Sequence, residues 1–470
     1  MSQSREKQFA KNTMILSIGT LGSKVFTFLL LPLYTAVLTT EDYGNVDVLQ
    51  TVIQLAIPVI TLQLAASIFR FLIDQTTLEE QIEVITNSTA VITLNSIIGL
   101  IVILVVNSIW SIPYYGLLIV CYITSTLYKV LQNVVRGFGH NGLYSLTGFI
   151  AVLSSLIINL ILILGMGMKG ESILIALASS NLLASLVIII KEKMWNYIRI
   201  KAISKEKTKE LLSYSLPLIP NEISWWIANS SDRFLILFYL GSSFNGIYAA
   251  ANKIPTIYST VFNVFNLAWI ESVSRNINDS DREEFINGML DRFFKLFMCL
   301  CFGILCSISL LFRFLIGAYY SDAYNHIFIL TVAIMIHSMC ALYGSVFSAF
   351  KESKIIGTTT ILGAVANIII NFSLINVIGL YAASISTLIS YAIVLIVRIC
   401  RVRKLIHLKW PINYFIRAFF FGLLVTFGYF FRNDYINIFI FVIVATWSFM
   451  ENRSVIIGFL RAAMRKVRKV

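Results

Sequence analysis

The sequence contains few charged residues. Only 13% of its 470 residues are Asp, Glu, Lys or Arg, whereas 58% are hydrophobic; soluble domains average about 25% charged and about 45–50% apolar residues. A soluble chain of this composition would expose apolar patches far larger than the few hundred Å² that monomers tolerate. The scarcity of charge therefore excludes a soluble enzyme or binding domain and predicts a membrane protein.

Sequence features of metal sites, disulfide frameworks and catalytic domains are also lacking. The six cysteines all lie in apolar stretches, and none has zinc-like spacing with the four histidines. The sequence has no Walker A motif and no acidic pair in a predicted outer loop. We therefore expect no enzymatic activity and no cofactor, and the sequence leaves a role for Na⁺ or H⁺ open.

Long apolar runs fill nearly the whole sequence. A membrane-spanning helix needs about 20 such residues, and hydropathy predicts about fourteen helices of this kind. Their approximate bounds are 13–38, 46–70, 85–107, 113–136, 143–165, 171–190, 213–240, 246–270, 290–316, 324–350, 355–377, 379–399, 412–431 and 434–450. The predicted fold class is an all-α polytopic membrane protein.

Matching motifs predict an internal repeat. Leu38 and Gly44 recur with the same spacing as Leu240 and Gly246 in the equivalent helix of the second half. Each glycine ends a short loop, where we expect it to ease the turn. The repeat predicts two six-helix lobes related by a pseudo-twofold axis along the membrane normal. The predicted domains are an N-terminal lobe (1–190), a basic cytoplasmic linker (191–210), a C-terminal lobe (211–400), and two extra transmembrane helices with a basic cytoplasmic tail (401–470).

Lysine and arginine are distributed unevenly between the predicted loops. If the N-terminus is cytoplasmic, the inner loops and tails hold about thirty of the 37 basic residues, as the positive-inside rule requires. Both termini are therefore predicted to be cytoplasmic. Because the basic residues lie between apolar runs and not on one soluble face, no nucleic-acid partner is expected.

Cations inside predicted helices mark a candidate binding site, because charge in the bilayer is costly and usually faces a cavity. Lys24 lies near the bilayer midplane, about eleven residues into helix 1. Arg233 and Lys253 lie on polar faces of helices 7 and 8. These helices are expected to meet between the lobes, where net positive charge suits an anionic phosphate or pyrophosphate headgroup. Four further cations lie near the inner interface, where snorkelling to lipid headgroups explains them equally well: Arg70, Lys129, Arg136 and Lys351.

Three carboxylates on helices 2 and 7 are candidates for ion coupling: Asp47, Glu222 and Asp232. Two of them have a simpler explanation. Glu222 lies near the inner end of its helix, where it can reach water, and Asp232 can form a local pair with Arg233.

The sequence resembles the Wzx-type oligosaccharide and polysaccharide flippases of the MOP superfamily, which also includes MATE antiporters and lipid II flippases. The resemblance covers essentially the whole chain. Its motifs are Phe9-Ala10-Lys11-Asn12, Gly22-Ser23-Lys24, Pro32-Leu33-Tyr34, the segment from Leu38 to Gly44, Ala65-Ala66-Ser67-Ile68-Phe69-Arg70-Phe71, Asp232-Arg233, Gly246-Ile247-Tyr248 and Ala250-Ala251-Asn252-Lys253-Ile254-Pro255.

The resemblance implies a flippase of the bacterial cell membrane. Its substrate would be an undecaprenyl-pyrophosphate-linked oligosaccharide, a precursor of capsule, O-antigen or teichoic acid, moved from the inner to the outer leaflet by alternating access. The implied partners are this lipid-linked glycan, membrane lipids, and a polysaccharide polymerase with glycosyltransferases. Carried over to this chain, the substrate-binding cations are Lys24, Arg70, Arg233 and Lys253. Members of the family often have arginine at the position of Lys24. Lysine lacks the planar guanidinium with which arginine binds phosphate through two hydrogen bonds.

Two other function classes are weighed against this one. A MATE-type cation or drug antiporter would need carboxylates to outnumber cations on helices 1, 2, 7 and 8, and they do not. A membrane glycan polymerase or ligase would need a large outer loop, whereas the predicted outer loops have fewer than about ten residues each.

Overall fold

A computed structural model of the chain describes residues 28–75, 77–409 and 411–453. This part of the chain is almost entirely helical and contains no strand. Its α-helices are α1 (Leu31–Val37), α2 (Thr40–Ile60), α3 (Leu64–Leu72), α4 (Leu78–Ile109), α5 (Tyr115–Gly137), α6 (Asn141–Leu160), α7 (Gly170–Lys191), α8 (Lys205–Ser215), α9 (Ile219–Tyr239), α10 (Ser242–Arg275), α11 (Arg282–Leu315), α12 (Ala323–Ala349), α13 (Ser353–Ile378), α14 (Tyr381–Val402), α15 (Ile412–Phe431) and α16 (Asp434–Glu451).

Eleven of these helices are long and apolar enough to cross a membrane: α2, α4–α7 and α11–α16. Helices α9 and α10, with 21 and 34 residues, are long enough but more polar. The first predicted span, with Lys24, lies mostly outside the described residues. The structure confirms the predicted all-α polytopic fold.

Local signals in the sequence account for the helix starts. The Thr39 hydroxyl accepts a hydrogen bond from the backbone N–H of Asp42 and so caps α2. Thr77 and Glu80 form a reciprocal capping box at the start of α4. Both devices satisfy backbone donors that the first helical turn leaves unpaired.

The predicted continuous helix over 46–70 is wrong, because the chain breaks between α2 and α3. Leu62 and Gln63 adopt left-handed conformations, with φ of 48° and 55°. Their N–H groups bond the carbonyls of Val59 and Pro58, which is the Schellman arrangement that ends a helix. Asp47 and Arg70, which the sequence placed on one predicted helix, therefore lie on separate helices.

The predicted linker is ordered and docked in the first half of the chain. It contains the start of α8, which is capped by the Ser204 hydroxyl. The Asn87 carboxamide oxygen accepts hydrogen bonds from Ser204 N and Thr208 Oγ1, at 2.8 and 3.0 Å. On α3, the Ser67 hydroxyl donates to the Leu211 carbonyl at 3.0 Å. Hydropathy does not detect a short polar helix, so α8 was not predicted from the sequence.

The chain forms two compact units, residues 1–249 and 250–470. In the first unit α7 packs against α5 and α6, and in the second unit α14 packs against α12 and α13 in the same order. In the second unit α15 and α16 also pack against α11. The lobe boundaries at 190, 211 and 400 stay predictions.

Candidate functional site

A polar seam joins α2 to α9 in the first unit. Asp47 lies in the second turn of α2 and is buried, and its Oδ2 accepts a hydrogen bond from Arg233 Nε at 2.6 Å. One turn further along α2, the Thr51 carbonyl accepts from Trp226 Nε1 at 3.0 Å. Trp226 and Arg233 are two turns apart on α9, so both contacts lie on one helical face. The sequence placed Arg233 on a polar face of its helix, and the structure pairs that face with Asp47 on α2.

Asp232 has a separate partner beside this ion pair. Its carboxylate is buried and accepts a hydrogen bond from the Tyr248 hydroxyl at 2.9 Å. Arg233 bonds Asp47 across the seam. The seam thus holds two carboxylates and one guanidinium, and each carboxylate has a donor from another helix.

Two glycines bring the N-terminal ends of α2 and α10 into backbone contact. A Cβ built on Gly44 would lie 1.9 Å from the Ser242 carbonyl oxygen, and one on Gly246 would lie 1.9 Å from the Thr40 carbonyl oxygen. Asn245 Nδ2 also donates to the Gly44 carbonyl at 3.0 Å. We call residues 40–44 of α2 and 242–246 of α10 the glycine seam.

The predicted role of these glycines is therefore wrong. Gly44 and Gly246 both lie inside helices, and neither has a positive φ. The turn before α10 is made by Gly241, with φ of 91°. Gly44 and Gly246 are needed because no side chain fits between the two backbones. The repeat in the sequence identified the pair, but their close approach is a tertiary feature.

The remaining predicted site residues lie elsewhere or beyond the described chain. Lys24 lies outside the described residues. Arg70 is half-exposed on α3 and forms an ion pair with Asp74, one turn along the chain. Glu222 is exposed in the first turn of α9. Lys253 is partly buried on α10, in the second unit. The structure thus brings together Asp47, Asp232 and Arg233, and it adds Asn245 and Tyr248, to which the sequence gave no role.

The start of α2 makes a further contact within the first unit. The Tyr114 hydroxyl, in the loop before α5, donates to Asp42 Oδ1 at 2.9 Å. Burial and this carboxylate raise the pKa of Tyr114 above its ordinary value, so the phenol stays neutral and remains a donor. This contact fixes the start of α2 near the glycine seam.

Comparison with known proteins places the chain in a family. Residues 9–275 match the polysaccharide biosynthesis protein family. No curated protein sequence matches the chain at a significant level.

Solved structures with similar folds are transporters. The fold is similar to that of the lipid II flippase MurJ in an inward closed conformation, at 14% identity and a TM-score of 0.71, over 94% of this chain and 100% of that one. It is also similar to an inward-facing multidrug resistance MATE family transporter of the MOP superfamily, at 14% identity and a TM-score of 0.67, over 83% and 98%. A Vibrio cholerae MATE transporter mutant matches at 13% identity and a TM-score of 0.52, over 86% and 98%. With more than half of its length matched, the chain belongs to the polysaccharide biosynthesis protein family, and its fold is that of the MOP-superfamily transporters.

Proposed function

We propose that the chain is a flippase that moves an undecaprenyl-pyrophosphate-linked oligosaccharide from the inner to the outer leaflet of the bacterial cell membrane. The observation that carries this proposal is the match to the polysaccharide biosynthesis family over residues 9–275 of a polytopic chain. A glycan made on a lipid carrier must cross the bilayer before it is used outside. The MurJ-like fold supports a transport role in that process.

The anionic headgroup is held by Lys24, Arg70, Arg233 and Lys253 in this proposal. Arginine and lysine are the side chains that bind phosphate and pyrophosphate best, through charge-assisted hydrogen bonds. In the structure Arg233 is occupied by Asp47. We infer that the headgroup competes with Asp47 for this guanidinium, so substrate binding and opening of the α2–α9 seam are coupled.

A MATE-type cation or drug antiporter is the second candidate, because MATE transporters share the fold. Its cationic substrate would need carboxylates that can accept it. Asp47 is paired with Arg233, and Asp232 accepts from Tyr248. A cation would have to displace Arg233 and Tyr248, just as the anionic headgroup has to displace Asp47 from Arg233. The preference for the anionic substrate therefore rests on the match to the polysaccharide biosynthesis family.

The first test removes the two cations deepest in the predicted helices. We expect Lys24→Ala and Lys253→Ala each to abolish export of the glycan precursor, because the headgroup loses a charge that water cannot replace there. Export is measured as surface glycan, with expression and membrane insertion quantified in parallel. Lys24→Arg should retain export if charge alone is needed.

Arg275→Ala is the matched control for Lys253→Ala. It removes a cation from the same helix, but the Arg275 side chain is 60% exposed and pairs locally with Glu271. Export should be unchanged in this variant. Normal surface glycan from a well-expressed Lys24→Ala or Lys253→Ala chain would remove that residue from the proposed site.

The proposed topology and partners follow from the same function. Both termini are cytoplasmic, and the flippase works with glycosyltransferases on the inner face and a polymerase on the outer face. If transport is coupled to Na⁺ or H⁺, the coupling carboxylates are Asp47, Glu222 and Asp232. Cysteine accessibility at the two ends of α2 and dependence of export on each ion gradient test these points.

A further inference from the structure

A cavity of about 540 Å³ lies within the first unit, between α5, α6 and α7. This is the size of an ordinary small-molecule site. Its lining residues recur at helical spacing on one face of each helix. The polar ones among them include Ser125, Lys129, Gln132, Arg136, Ser145 and Asn181. None of these residues belongs to the site described above.

Two cations on α5 line the cavity. Lys129 and Arg136 stand seven residues apart, which is two helical turns or about 10 Å. Among the residues that the structure describes, no carboxylate forms an ion pair with either of them. The two positive charges lie on one wall of the cavity, and no described carboxylate neutralises them. They therefore favour an anionic ligand.

Arg136 is held in a way that leaves its hydrogen-bond donors available. Its guanidinium carbon lies 4.4 Å from the Phe69 ring centroid and 5.5 Å from that of Tyr144. No residue in the described part of the chain accepts a hydrogen bond from the Arg136 guanidinium, whose planar fork is suited to phosphate. The planar fork can therefore still bind two oxygens of a phosphate group.

Neutral polar groups between and beside the two cations are fixed by their neighbours. The Gln132 carboxamide nitrogen donates to the Tyr128 hydroxyl at 2.8 Å and to the Thr147 hydroxyl at 2.9 Å, so its N–H groups are already used. Ser125 Oγ accepts from Asn181 Nδ2 at 3.0 Å, so its own proton can go to another acceptor.

Part of the cavity lining is apolar. Phe149, Val152 and Leu156 line it from α6, and Phe149 is 51% exposed. In a membrane-spanning helix, an exposed aromatic residue beside an apolar lining gives a hydrocarbon chain access from the side. The cavity therefore combines two cations on α5 with an apolar lining on α6.

We propose that this cavity binds a phosphate ester carried on an apolar chain, with the phosphate between Lys129 and Arg136 and the chain along α6. Identifying the ligand as the polyprenyl pyrophosphate of the substrate rests on the proposed function. An anionic phospholipid has the same chemistry and is the other source. In the first case the cavity is a holding site for the carrier lipid, and neither Arg70 nor Arg233 is among its described lining residues.

The test measures binding to the full chain in phosphatidylcholine nanodiscs. Farnesyl pyrophosphate is the probe, and Lys24→Ala with Lys253→Ala is the background, so that those two cations do not contribute. We expect Lys129→Ala and Arg136→Gln each to weaken binding by about tenfold or more. Lys129 is exposed, so its truncation leaves the packing of α5 intact. Lys191→Ala is the control, because it removes an exposed cation from α7 that does not line the cavity.

Three further arms separate the outcomes. Farnesol, which lacks the pyrophosphate, should not compete. Phosphatidylglycerol is added to the nanodiscs in a further arm. If it displaces the probe from the background chain but not from the Lys129→Ala chain, the occupant of the cavity is a phospholipid. Unchanged binding in both cavity variants, or equal competition by farnesol, overturns the inference and leaves the proposed flippase untouched. If the variants lose binding but the wild type exports no glycan, the result supports the cavity and contradicts the proposed function.

Discussion

Gly44→Ala adds a single methyl group where two helices meet through their backbones. The new Cβ would lie 1.9 Å from the Ser242 carbonyl oxygen and 2.7 Å from the Gly246 nitrogen, whereas ordinary contacts begin at 3.4 Å. Neither opposing atom belongs to a side chain that can rotate away. The glycine seam must therefore open by about 1.5 Å, because a close-packed contact cannot absorb the overlap.

The cost of this overlap sets the size of the expected effect. Overpacking a tight contact costs about 1–3 kcal/mol. If the closed seam is one of two states in a transport cycle, this cost shifts the equilibrium about 5- to 150-fold toward the open state. Gly44→Ala is therefore expected to slow export strongly while the chain still folds and inserts.

Disulfide crosslinking across the glycine seam reports its closure directly. Thr40→Cys and Ser243→Cys, in a chain cleared of the six native cysteines, should crosslink only when the seam is closed. The crosslink should stop export, and reduction should restore it. Adding Gly44→Ala should lower the crosslink yield.

Gly303→Ala is the matched control, because this glycine lies inside α11 and a Cβ added there would have open space around it among the described residues. It should change neither the crosslink nor export. A Gly44→Ala chain that crosslinks and exports like the wild type would refute the close-packed seam. Undiminished export with the crosslink quantitatively formed would contradict alternating access.

Two further predictions concern buried charges. Asp47→Asn removes the carboxylate that bonds Arg233 across the seam, so the purified protein should unfold at a lower temperature. Arg233→Gln in the same chain should restore part of the loss, and strictly additive losses would contradict the pairing. Arg398 is buried on α14 and donates to the Cys340 carbonyl at 2.7 Å. Arg398→Leu should therefore lower the free energy of unfolding by about 1–3 kcal/mol in thermal unfolding. Truncating the exposed Arg401 should not lower it. Equal effects of the two variants would show that Arg398 makes no stabilising hydrogen bond.

Hydropathy predicted the membrane helices well, because spanning the bilayer demands long apolar runs that are visible without tertiary structure. Helices α15 and α16 follow their predicted bounds to within a residue. The break after α2 was not predictable in the same way. Leu62 and Gln63 adopt left-handed conformations that are typical of glycine or asparagine, so the sequence contains no turn signal there.

The polar seam was only half predictable. Asp47 and Arg233 were identified because charge inside a membrane helix is costly and marks a site. Their pairing depends on how α2 packs against α9, which periodicity does not reveal. The same holds for Gly44 and Gly246, since a glycine that permits close helix approach and a glycine that eases a turn look alike in a sequence.

Transport of a lipid-linked glycan by the purified chain in proteoliposomes is the most direct test of the proposed function. The account predicts that the wild type exposes a polyprenyl-pyrophosphate-linked oligosaccharide to a glycan-cleaving enzyme outside the vesicle, that Lys24→Ala with Lys253→Ala does not, and that a cationic dye is not moved. Movement of the dye with no movement of the glycan would contradict the account and establish the cation antiporter in its place.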